Sequence, residues 1–108
     1  MSFPPFTRIA LIEAKDPNLE KAKGAITSYH NEIKKYRKWL EISSPTPAIL
    51  ARLKGQYRFQ ILIKSDRKTD AGGKILRTAI LDSFVEFNRK SRYKDVRLIY
   101  DVDPQSVI

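Results

Sequence analysis

The sequence predicts an α+β fold whose elements run strand, helix, strand, strand, helix, strand. Two segments carry apolar residues at alternating three- and four-residue steps, as helices with one buried stripe do, and two others alternate apolar and polar residues, as half-buried strands do. At 108 residues the chain has room for one core, so a single domain over 1–108 is expected.

The first strand is read from Phe6 to Ala14, where Phe-Thr-Arg-Ile-Ala-Leu-Ile-Glu-Ala is nearly unbroken in apolar character and suits a central place in a sheet. Asp16-Pro17 then opens a helix, because the missing N–H of proline costs nothing in a first turn. Leu19, Ala22, Ile26, Tyr29, Ile33, Tyr36 and Leu40 form its buried stripe, with Lys23, Lys34, Lys35, Arg37 and Lys38 on the wet side. A weak second strand follows, and Pro45 and Pro47 restrict it to a short or edge position. Lys54-Gly55 is a turn. Tyr57, Phe59, Ile61 and Ile63 then alternate with Arg58, Gln60, Leu62 and Lys64 in the clearest strand of the chain. After the charged turn Asp66-Arg67-Lys68, Thr69 or Asp70 caps a second helix, whose stripe of Ile75, Leu76, Ala79, Ile80, Phe84 and Phe87 runs to about Arg89. Val96, Leu98, Tyr100 and Val102 alternate in a last strand that Pro104 ends.

In one sheet, this order is the split βαβ, or ferredoxin-like, arrangement: four mainly antiparallel strands with both helices on one face. The other face stays open. With Tyr57, Phe59, Ile61 and Ile63 turned to the helices, Arg58, Gln60, Leu62 and Lys64 populate that face and give it a basic, partly apolar character.

The 21 Lys and Arg against 12 Asp and Glu leave a formal charge of +9, which favours a polyanionic partner. The chain has no cysteine, which removes disulfides, thiolate metal sites and cysteine nucleophiles together and agrees with a cytoplasmic setting. No apolar run approaches the roughly 20 residues of a membrane span. Catalysis finds little support. The single histidine, His30, lies within a helix without a triad or metal partner, and Asp101-Val102-Asp103 offers two carboxylates without a third ligand. Ala71-Gly72-Gly73-Lys74 lacks the spacing and the Ser or Thr of a phosphate-cradling loop, so neither metal nor cofactor is expected.

Charge and aromatic character coincide most closely at Arg52, Lys54, Arg58 and Lys64, interleaved with Tyr57 and Phe59. Lysine and arginine there can meet phosphates, with Arg67 and Lys68 in the next turn, while the alternation assigns the rings to the core. Lys54-Gly55-Gln56-Tyr57-Arg58-Phe59 touches the RNA-recognition signature, but Gln56 stands where an aromatic belongs.

Three blocks carry a more specific likeness. Pro4-Pro5-Phe6-Thr7-Arg8-Ile9-Ala10-Leu11-Ile12, the stretch from Pro47-Ala48-Ile49 through Gly55-Gln56-Tyr57-Arg58-Phe59-Gln60 to Lys64, and Val96-Arg97 through Asp101-Val102-Asp103-Pro104-Gln105-Ser106 resemble, in order and spacing, the C-terminal domain of PriA-type primosomal helicases. The resemblance implies a fold like a ribosomal small-subunit protein, in the C-terminal piece of a cytoplasmic, nucleoid-associated ATP-driven DNA helicase. It implies forked or branched DNA, the acidic tail of single-strand DNA-binding protein and the parent's helicase lobes as partners. Gln60, helped by Arg58, matches the tail-binding position, whereas Gln56 stands where many members carry a basic residue. The motor lobes, their phosphate loop and the family's zinc cysteines are absent from these residues, so no ATP hydrolysis is expected of them. The rival expectation is a free-standing RNA- or ribosome-binding protein of the same fold.

Overall fold

The computed structural model describes residues 7–102 except 67, 71 and 94, with the backbone alone at 49–53. Strand β1, Thr7–Asp16, pairs antiparallel along its whole length with β4, Gln56–Asp66, from Thr7↔Asp66 to Asp16↔Tyr57. Its other edge pairs antiparallel with β5, Arg97–Val102. Beyond β4 lie β2, Glu41–Ile42, and β3, Thr46–Leu53, each paired with a different part of it. The sheet therefore runs β2/β3, β4, β1, β5, the ferredoxin-like order, but with five strands where the sequence predicts four.

The extra strand is the expected weak second strand broken in two. Pro45 and Pro47 supply no N–H for a continuous ladder. At the break Ser43 stands in for the missing partner: its backbone N–H donates to the Leu62 carbonyl at 2.9 Å, and its Oγ accepts from the Leu62 N–H at 2.9 Å. The pairing shifts register again between Pro47 and Arg52 before closing at Leu53↔Gln56.

Helix α1, Leu19–Ile33, and helix α2, Lys74–Lys90, cover one face. Beneath them the alternation holds: Ala10, Ile12 and Ala14 are buried opposite Ile63, Ile61 and Phe59. Burying each large aliphatic side chain contributes roughly 1.5–3 kcal/mol, while Ala10, Ala14, Ala22, Ala25 and Ala79 let the helices approach the sheet closely. Tyr29 is fully buried, and its hydroxyl donates to the Ile80 carbonyl at 3.0 Å, which satisfies its one polar atom.

Both ends of α1 differ from the sequence reading. Asn18, not Asp16, caps it, its Oδ1 accepting from the Lys21 N–H at 3.0 Å, and Leu19 is left 40% exposed. The helix ends at Ile33 and tightens into a 3-10 turn at Lys34–Tyr36, well before the expected Leu40. Leu40 is buried nonetheless, and Tyr36 packs on the core's margin.

Candidate binding surface on the open sheet face

The face away from the helices is built by alternate residues of three strands. Along β4 it carries Arg58, Gln60, Leu62 and Lys64; β1 contributes Ile9, Leu11, Glu13 and Lys15; β5 adds Arg97, Ile99 and Asp101. The sequence-predicted row on β4 is thus brought together as expected. The hairpin Leu53-Lys54-Gly55-Gln56 carries Lys54, exposed, at its end.

Arg58 is not a freely solvated charge. It grips Glu13 on the neighbouring strand, its guanidinium donating to Glu13 Oε2 at 2.6 and 3.1 Å, and only 8% of the Glu13 side chain is exposed. A carboxylate so placed must be paired, because an uncompensated buried charge costs several kcal/mol. Glu13 is the residue of this face that reading by charge run misses. Its signal is a lone acid amid the apolar residues of a central strand.

Gln60, opposite Glu13 on β1 and Thr46 on β3, is half-buried. Lys64 is 44% exposed and lies 3.9 Å from Glu41, a pair worth little at the surface. Lys68 is exposed in the turn after β4, where its backbone N–H bonds Asp66. Arg52 lies in β3 opposite Tyr57, but its side chain, like Arg67 as a whole, is outside the described residues, as is Asp103. The expected basic character needs correction: Lys15, Arg58, Lys64 and Arg97 share this face with Glu13, Glu41, Asp66 and Asp101, so the described surface is charge-mixed. No aromatic ring stands on its β1 and β4 rows among the described residues, since Phe59 turns to the core.

Beside this face, Asp70 organises the turn into α2. Its carboxylate accepts from the Ile75 and Leu76 N–H groups at 2.9 and 3.0 Å and from the Ser65 hydroxyl at 3.0 Å, while Arg8 bonds its carbonyl at 2.8 Å. Burial works against its charged form, yet these donors and Arg8 outweigh it and hold the carboxyl below the usual range. Asp70 caps across Gly73, whose φ of 71° admits the bend. His30 is half-buried on α1, and burial followed by the nearby Lys34 charge holds its imidazole below the ordinary range.

Fold and surface together define a ferredoxin-type α+β domain with one covered and one open sheet face. The chain belongs to the family of the primosomal protein N C-terminal domain, whose model matches residues 1–105. It is 30% identical over 110 residues to the replication restart protein PriA of Haemophilus influenzae, covering 99% of this chain and 14% of that protein's length. In structure it is similar to the de novo designed protein LFR1 1 with ferredoxin fold, at a TM-score of 0.52 and 14% identity over 93% of this chain and 87% of that one, which speaks to the fold alone. Among the described residues no helix is long and apolar enough to cross a membrane, and no three metal-binding side chains cluster.

Proposed function

We propose that this chain serves replication restart as a non-catalytic binding domain of a PriA-type helicase, holding forked or branched DNA and the acidic tail of single-strand DNA-binding protein. Membership of the primosomal family over 1–105 carries this reading, because it ties the chain to a relative named for replication restart. The geometry supports it locally. Gln60 can hydrogen-bond a tail carboxylate, the Arg58 side chain is partly exposed, and Lys54, Lys64 and Lys68 stand exposed for phosphates. Arg52 and Arg67 extend the same set in sequence. The parent's helicase lobes supply ATP hydrolysis in this reading, in the cytoplasm at the nucleoid, and the chain itself supplies contacts. The rival, an RNA- or ribosome-binding protein, is weakened by the missing stacking ring on the described open face.

Titration against forked DNA, duplex, single-stranded RNA and an acidic tail peptide tests the proposal. Fork and peptide are expected to bind, and Gln60→Ala to weaken peptide capture while shifting stability by no more than about 0.5 kcal/mol. Preference for RNA with no peptide binding would overturn it.

A further inference from the structure

The positive charge of this chain sits mainly on the side opposite the sheet surface. Residues 18–40 carry six Lys and Arg against Glu20 and Glu32, and residues 74–92 carry five against Asp82 and Glu86, together seven of the net +9. Lys21 is neutralised by Asp95 at 2.7 Å and Lys35 by Glu32 at 2.7 Å. Lys34, Arg37, Lys38 and Lys74 form no ion pair among the described residues.

Among these cations lies an open apolar groove of about 310 Å³, lined by Tyr36, Trp39, Lys74, Ile75 and Thr78. Trp39 is 53% exposed, unusual for the largest apolar side chain, and its ring meets that of Tyr36 at 6.3 Å and 52°. The Tyr36 hydroxyl is fixed to Asp82 at 3.3 Å. The corner forms where α1 ends at Ile33 and the chain passes through the 3-10 turn Lys34–Tyr36 toward Trp39.

We propose that this groove is a second binding site, for single-stranded nucleic acid, with an unpaired base stacked on Trp39 and the neighbouring phosphates met by Lys38 and Lys74. The chemistry selects this occupant. Every base offers a π-face to an aromatic platform, and a single strand repeats its charge beside it. An acidic peptide supplies charge without a partner for the indole, a duplex hides its base faces, and a second copy of a +9 chain is repelled.

Trp39 is the only tryptophan, so its emission reports on this site alone. Titration of the 108-residue chain with a thymidine oligonucleotide of about a dozen residues, within the span of single-strand sites, is expected to quench it to saturation. Duplex of equal length and an acidic peptide are expected to leave it nearly unmoved. By anisotropy of a labelled strand, Trp39→Ala should weaken binding about tenfold or more, Trp39→Phe should restore most of it, and Lys74→Ala should reduce the salt slope by roughly 0.7. Gln60→Ala should leave the quench intact, which separates this site from the sheet surface. Binding with unmoved emission, quenching by the peptide but not the strand, or emission that shifts with protein concentration alone would overturn the proposal.

Discussion

Lys54 stands at φ 53° and Gly55 at φ 78°, and two positive values in a two-residue loop make a type I′ turn between β3 and β4. Glycine adopts this freely, but a lysine there costs on the order of 1 kcal/mol. Lys54→Asn, matching the turn's preferred Asn-Gly pair, is expected to stabilise the fold by about 0.5–1 kcal/mol in chemical denaturation and to weaken DNA binding by one phosphate contact. A loss of stability would mean that the side chain is held by contacts beyond the turn. Arg58 behaves oppositely. Alternation alone marks it as an exposed charge whose loss should leave stability nearly unchanged, but the structure places Glu13 under it, so Arg58→Ala leaves a buried carboxylate with its main cation gone. That variant is expected to lose about 1–3 kcal/mol.

At the scale of elements, α2 and β4 are joined through Asp70 as much as through packing. Its carboxyl is depressed in the folded chain, so its contribution is fully present above the ordinary Asp value of about 3.9 and is lost as pH falls through the folded value. The native chain should therefore weaken below about pH 4, and Asp70→Asn should flatten that limb of the stability curve while Asp70→Ala costs about 2 kcal/mol at neutral pH. Equal acid slopes in both would contradict the assignment. The sequence marks Asp70 as a cap but gives no hint that it acts across Gly73 or that Ser65 joins it, because those contacts depend on where the strand ends in space. The period-two pattern of β4 and the stripe of α2 are legible for the reverse reason: burial repeats along each element and leaves its record residue by residue. The end of α1 is not, since apolar spacing continues through Tyr36 and Leu40 after the helical hydrogen bonds stop. Gly24 is likewise silent in sequence. A side-chain carbon there would enter the Tyr93 ring, which explains a glycine where alanine would normally favour the helix by about 1 kcal/mol.

The whole molecule is a two-layer slab, with Cα extents of 40 × 29 × 17 Å, and its two proposed surfaces belong to different layers, one to the open sheet face and the other to the corner where α1 ends beside the first turn of α2. One short ligand cannot touch both without wrapping an edge, so acidic peptide on the sheet and oligonucleotide on the helices should bind together. Their coupling should be electrostatic alone. A bound polyanion cancels part of the +9 field and weakens the second anion, with a reach set by the Debye length, about 30 Å at 0.01 M salt but about 8 Å at 0.15 M. The first exceeds the 17 Å thickness and the second falls well short of it. Peptide affinity measured with and without saturating oligonucleotide is therefore expected to differ at low salt and to converge at about 0.15 M. Mutual exclusion that persists at the higher salt would place both ligands on one face, and the separation of the two sites would fall.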